Sequence, residues 1–262
     1  MPKDGKGLGA PMTLTRRVPV FDIDVTPLTL DQLLSEICDA VDHGGRLMVA
    51  GHNLHSVYLS TTDDSFRRFY ERTDIKLIDG MPVLAALNLG DMLAGRGATG
   101  VSHRLGSTDW IRECDRLHCV RRVAVLGAPE PSNSAAVEHM AGRSRHVEYL
   151  GIPGHPWDER RLPELLGRLQ DFDPQVLFVG MGMPLQESIA VAVADGTRIP
   201  VIATVGGAVD QISGAQSLAP RWLGRTGFEW AWRLASDPRR FAGRYLVEPV
   251  RLARALLARR TA

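Results

Sequence analysis

The groups of this chain best suited to chemistry are Asp79-Gly80, the run Gly180-Met181-Gly182-Met183-Pro184 with Gln186-Glu187 behind it, and Gly206-Gly207 with Asp210. Each falls where an apolar run stops and a helix-type stretch begins. Glycine at such a point lets the backbone approach a ligand closely, and a helix N-terminus favours negative charge. Gly127 closes a further apolar run and joins the same ligand floor. Asp79 can take a proton from a substrate hydroxyl as a general base; it can equally cap a helix or hold a turn. Asn53 can position a hydroxyl or cap a helix. Arg104, Thr108 and Asp109 cluster beside Gly106, fit for binding an acceptor or for ion pairing alone. Gln186 and Glu187 stand in a first helical turn, facing the site or merely favouring the helix start.

The C-terminal segment has its own chemistry. Residues 221–262 hold ten arginines and three acids, whereas the whole chain carries a net charge of +1. An acidic body with a basic tail implies a polyanionic partner. Arg233, Arg240, Arg244 and Arg251 recur at helical spacing. Pro238, Gly243 and Pro249 divide that face into segments. Trp222, Trp230, Trp232, Phe241 and Tyr245 supply the apolar counterpart. Basic segments with tryptophans bind membrane interfaces, although a helix docked on its own domain has the same pattern. Arginine also clamps diphosphates. The reading is therefore mixed: Arg233, Arg239, Arg240 and Arg244 serve a ligand diphosphate and lipid headgroups. Nucleic acid is the weaker partner, because the body is acidic.

These groups need a scaffold, and the pattern describes one. Apolar strand-type runs at 46–50, 75–78, 122–126, 147–151, 175–180 and 199–205 alternate with helix-type stretches at 53–69, 82–88, 108–117, 132–143, 158–171 and 184–194. Continuous apolar strands alternating with helices predict a Rossmann-like α/β fold, a mostly parallel sheet covered on both faces. Ligands in such sheets bind beyond the carboxyl ends of the strands. Residues 18–220 form the predicted core, with an N-terminal half to about 106 and a second half after it. Residues 96–106 read as a mobile loop between the halves. Residues 1–17 read as a disordered, polar N-terminus without an apolar signal core, and 221–262 as a basic helical appendage.

Other classes are disfavoured. The Gly180–Pro184 turn lacks the third glycine and the strand-end acid of a dinucleotide fingerprint, which argues against a nicotinamide-dependent oxidoreductase. Cys38, Cys114 and Cys119 make no CxxC pair, so they read as small buried apolar residues in a reducing cytoplasm. His52 and His55 have no evident third ligand, so no metal site is expected. The longest apolar runs are too short to span a bilayer.

Taken together and in order, the motifs resemble those of the WecG/TagA/CpsF family of bacterial glycosyltransferases. The likeness covers about Val18 to Tyr245. It rests on Asn53, Asp79-Gly80, Arg104 to Asp109, Leu126-Gly127, Val179 to Glu187, Val205 to Asp210 with Ser213-Gly214 and Ala219-Pro220, and Glu229-Trp230 with Arg233, Pro238, Arg239 and Tyr245. The resemblance implies inverting transfer from a UDP-sugar to a polyprenyl-diphosphate-linked acceptor, at the cytoplasmic membrane face, in cell-surface polysaccharide assembly. It also implies a peripheral membrane protein with no cofactor and no Asp-x-Asp metal motif. Asp79 becomes the expected base, and Gln186-Glu187 lie near the nucleotide. The resemblance likewise makes the core's N-terminal half, to about 106, the acceptor side and its second half the nucleotide side. Two positions depart from the family pattern: Gly51 stands where threonine is frequent, and Ile78 where proline usually precedes the Asp-Gly pair. A non-catalytic UDP-sugar sensor or membrane adaptor is the alternative. The donor sugar, and whether the chain forms a homo-oligomer, are left open.

Overall fold

The computed structural model describes residues 14–216 and 229–261. Its centre is a six-stranded, wholly parallel sheet in the order β4-β3-β8-β7-β5-β6. The strands are β3 (Leu47–His52), β4 (Ile75–Ile78), β5 (Arg122–Gly127), β6 (Glu148–Ile152), β7 (Val176–Gly180) and β8 (Val201–Thr204). Alternation within each strand divides its side chains between two cores. Val123, Val125, Val176 and Phe178 face one, and Ala124, Leu126, Leu177 and Val179 the other. Burial on both faces is why these strands read as unbroken apolar runs.

Helices α1 (Leu30–Asp42), α5 (Ser107–Ile111), α6 (Ser132–Arg143) and α9 (Ala208–Ile212) cover the first face. Helices α3 (Asp64–Arg72), α7 (Leu162–Phe172) and α8 (Leu185–Gly196) cover the second. A third cluster closes the β4 edge. There α2 (Leu54–Thr62) and α4 (Met81–Leu93) meet the small antiparallel hairpin β1 (Arg16–Val18) and β2 (Ile23–Val25). The tail adds α10 (Glu229–Ser236), α11 (Pro238–Ala242), a π-helical turn at Gly243–Val247 and α12 (Glu248–Thr261). Leu252 of α12 is buried in that third cluster, so the tail is packed on the body.

Several expectations change. The N-terminal strand already includes Arg16 and Arg17, inside the stretch read as disordered. The helix expected from 53 onward is two helices, because Asp63 turns out of α2 and caps α3 with its carboxylate. The helix expected at 108–117 is α5 and a separate 3-10 turn at Cys114–Arg116. The loop at 96–106 is anchored: Asn88 bonds Thr99 through both amide atoms, His103 meets the Pro27 carbonyl, and the Leu105 amide donates to Ile78. Cys38 and Cys119 are bonded to each other, and only Cys114 is free and buried. Pairing across 81 residues leaves no local motif to read. Ala219-Pro220, Trp222, Gly227 and Phe228 lie outside the described residues.

Gly127 and Gly180 are also reassigned. They are register partners at the ends of β5 and β7. A Cβ on Gly127 would lie 2.3 Å from the Gly180 carbonyl oxygen, and the Gly127 φ is 141°. The missing side chain lets two strands approach, not a strand and a ligand. Gly127→Ala should therefore cost at least ~3 kcal/mol, read as a drop of several degrees in melting temperature. A melt like the parent's would return Gly127 to the ligand floor.

Candidate active site

The carboxyl ends of β3, β4, β7 and β8 open into one cleft of about 1120 Å³. Asp79 stands at its floor, immediately after β4, with its amide donating to the His52 carbonyl (3.0 Å). Its side chain does not cap α4; Gly80 holds that position and makes no side-chain cap. The carboxylate instead accepts from Asn53 Nδ2 at 2.9 Å. Asn53 is the N-cap of α2, and its Oδ1 accepts from the amides of His55 (3.0 Å) and Ser56 (3.2 Å). Both readings of Asn53 hold at once. Because its oxygen is committed to the helix amides, its nitrogen has to face Asp79.

Asp79 is confined by glycines. A Cβ on Gly51 would meet Asp79 Cβ at 3.0 Å, and one on Gly106 would meet Asp79 Oδ1 at 3.2 Å. Gly51 is the position that departs from the family pattern, and here the vacated space is taken by the aspartate. Arg104 brackets the same point: Nη1 donates to the Asp79 carbonyl and Nη2 to Asp109 Oδ2, both at 3.4 Å. Asp109 also accepts from the Gly106 amide (3.1 Å), and Thr108 donates to Gln211 Oε1. The Arg104–Asp109 pair thus holds the loop that walls the cleft. Arg104 and the neighbouring Arg112 each carry a buried Nε–H with no partner. Unsatisfied guanidinium donors in a cleft suit an anionic ligand.

Gln186 and Glu187 are both buried. Gln186 lines the cleft, but its polar atoms are engaged: Oε1 accepts the Gly206 amide (2.9 Å), and Nε2 donates to Glu187 Oε1 (2.8 Å). The pair therefore holds the loop after β8 in place. Glu187 Oε2 has no partner, and burial pushes the Glu187 carboxyl up to about 7. Gly182, Gly206 and Gly207 line the cleft; Gly127, Gly180, Pro184, Glu187 and Asp210 do not. The Asp210 carbonyl serves locally, accepting from Ser213 and from the Gln216 amide.

The tail supplies the outer wall. Arg233 and Arg244 line the cleft. Arg244 Nη2 reaches Asn53 Oδ1 at 3.4 Å, and burial pulls the Arg244 pKa below the ordinary arginine value. His55 Nδ1 and Glu248 Oε2 join α2 to α12 at 2.6 Å. Arg239 and Arg251 are exposed, so the tail arginines do not share one face as their spacing suggested. The Arg240 side chain lies outside what is described. The sequence weighs His55 only as a metal ligand and gives no signal for Arg112, Gln211 and Glu248, which carry no local motif.

The sequence pattern of the Glycosyl transferase WecG/TagA/CpsF family matches residues 18–262. The chain belongs to this family. It is a glycosyltransferase of cell-envelope polysaccharide biosynthesis. Relatives from Staphylococcus aureus strains MRSA252, MW2 and NCTC 8325 are each 24% identical to it over 250 residues, 94% of either chain. Each bears the name N-acetylglucosaminyldiphosphoundecaprenol N-acetyl-beta-D-mannosaminyltransferase. Among the described residues, no three His, Cys, Asp or Glu side chains converge to hold a metal ion. Nor is any described helix long and apolar enough to cross a membrane.

Two outcomes follow for this glycosyltransferase. Between pH 4.5 and about 7 the folded chain keeps a Glu187 proton that the unfolded chain has released, so this group lowers stability as pH rises. Glu187→Gln removes the effect. Its stability relative to the parent should grow by about 3 kcal/mol between pH 4.5 and 8 in urea titrations; a gap independent of pH would place the ionisation elsewhere. Gly51→Ala should displace the Asp79 carboxylate and cut turnover about 10- to 100-fold, with little change in melting temperature. Full turnover in that variant would show that Asp79 tolerates a shifted position.

Proposed function

We propose that the chain is an inverting transferase that moves a sugar from a UDP-sugar to a saccharide carried on polyprenyl diphosphate. It would work on the inner face of the cell membrane, with residues 18–220 as the catalytic body and the tail completing the site. The observation that carries this reading is the Asp79 carboxylate, oriented by Asn53 at the floor of a cleft that Arg233 and Arg244 close from the tail. The relatives' names, which specify a diphosphoundecaprenol-linked acceptor, support the same substrate class.

In this reaction Asp79 accepts the proton of the acceptor hydroxyl. The acceptor oxygen attacks the anomeric carbon from the face opposite the donor diphosphate. The new carbon–oxygen bond forms as the bond to the β-phosphate oxygen breaks, and that oxygen keeps the electron pair. The developing negative charge calls for fixed positive groups. Arg104, Arg112, Arg233 and Arg244 line the cleft and can supply them. The Gly206 amide is already bonded to Gln186 and cannot serve as a donor there. The loops at Gly182 and Gly206-Gly207 would form the nucleotide side, and Asn53, Arg104 and Asp109 the acceptor side.

The test is UDP release from a panel of UDP-sugars, with a short-chain polyprenyl-diphosphate-saccharide as acceptor. Asp79→Asn should lose about 10²- to 10⁴-fold in kcat while the donor Kd stays within about twofold. Release unchanged by the substitution would remove Asp79 as base. Donor binding without acceptor-dependent release would favour a UDP-sugar-binding adaptor.

A further inference from the structure

Exposed apolar side chains are segregated on this molecule. Apart from Leu14, every large one among the described residues lies on α4, on the short turn that follows it, or on the tail. On α4, Leu89, Met92 and Leu93 are 45%, 67% and 79% exposed. Pro82 and Ala85 precede them on the same face and are also exposed. The only charged residue of this 13-residue helix is Asp91, which is buried and held by Arg16 and Arg96. Thus α4 presents an uncharged apolar stripe about 20 Å long. A water-facing helix ordinarily carries charge on that side.

The stripe continues into the tail. Val83, Leu84 and Leu87 belong to the same buried cluster as Leu252 of α12. A recess of about 240 Å³ opens beside Asp79, between Met81 and Pro82 of α4 and Trp230, Tyr245 and Pro249 of the tail, with Arg104, Arg233 and Arg244 also in its lining. On the tail side, Trp230, Trp232, Leu246, Val247 and Val250 are exposed. Among the described residues, exposed charges on the segment after α4 and on the tail include Arg96, Arg239, Arg251 and Arg254, with one exposed acid, Asp237.

We infer that α4 is a second membrane-seating element, built into the body, and that its Leu89-Met92-Leu93 stripe lies on an anionic bilayer beside the tail. With four exposed arginines against one exposed acid on these segments, the surface suits anionic headgroups; a second copy packed on it would set an excess of like charge against itself. The recess then opens at the bilayer surface, where the first isoprene units of the acceptor could leave the lipid and bring its diphosphate to Arg233 and Arg244. This placement rests on the lipid-linked acceptor proposed above.

The experiment is co-sedimentation of the full chain with phosphatidylglycerol/phosphatidylethanolamine vesicles, without sugar substrates. The comparison is with the triple variant Leu89→Ser, Met92→Ser, Leu93→Ser. Light scattering reports the oligomeric state, and UDP release with a water-soluble short-chain acceptor reports the fold. The variant should partition at least tenfold more weakly, remain the same size as the parent and keep its turnover on the soluble acceptor. Partition equal to the parent's would overturn the inference. So would a parent dimer that the substitutions split, with vesicle binding intact, since the stripe would then join two copies. If UDP release is absent from parent and variant alike, matched thermal melts report the fold instead. A tenfold loss of partition with matched melts would then uphold the docking surface, while the absent UDP release would count separately against the UDP-sugar reaction proposed above.

Discussion

Everything at this site depends on the orientation of one side-chain amide. Asn53 Oδ1 accepts two backbone N–H groups at the start of α2, which leaves Nδ2 to meet Asp79. A flip of the amide would place an oxygen against a carboxylate and strip two helix amides of their acceptor, losing several hydrogen bonds together. The rotamer of the proposed base is therefore set by helix capping, which in turn is set by the chain leaving β3. The glycines at 51 and 106 complete the arrangement from the other sides by leaving room only for the carboxylate.

The same amide oxygen also meets Arg244, so the tail reports on the geometry of the floor. A half-buried guanidinium is unfavourable without compensation, and the lowered Arg244 pKa expresses that cost. Asp79 and Glu248 offset it in part, while Arg233 adds to it. An incoming diphosphate would supply the missing negative charge. On this argument Arg244 would be better compensated with a diphosphate beside it than without one. The His55–Glu248 contact keeps α12 registered on α2.

How much could be read in the sequence follows from which interactions are local. The parallel sheet was legible because strands buried on both faces are unbroken apolar runs, and Ile75–Ile78 and Ser132–Arg143 fall where the pattern puts them. The β1–β2 hairpin was not, because three-residue strands carry no periodicity. Helix α1 did carry a signal, the reciprocal capping of Thr29 and Gln32, which was passed over. Asp79 and Asn53 were singled out by type and position, but their mutual bond spans 26 residues and is a property of the fold. The glycines mislead for a related reason. A glycine ending a strand looks the same whether a ligand or another strand approaches it, and Gly127 and Gly206, both chosen as ligand floor, separate only in three dimensions.

Gln186 and Glu187 show how a buried pair can shape a cleft from behind its lining. The family resemblance implies that both lie near the nucleotide; the fold buries both, with Gln186 at the cleft lining and Glu187 behind it. Glu187 is buried with one oxygen unpartnered, a costly arrangement for an ionised carboxylate. Shifted up to about 7, the group is substantially protonated near neutrality and far cheaper to bury. Its other oxygen fixes Gln186, and Gln186 fixes the amide of Gly206 at the edge of the cleft. A buried hydrogen-bond chain from Glu187 through Gln186 thereby holds the loop after β8. Gln186 thus couples the start of α8 to the loop after β8 at the edge of the cleft.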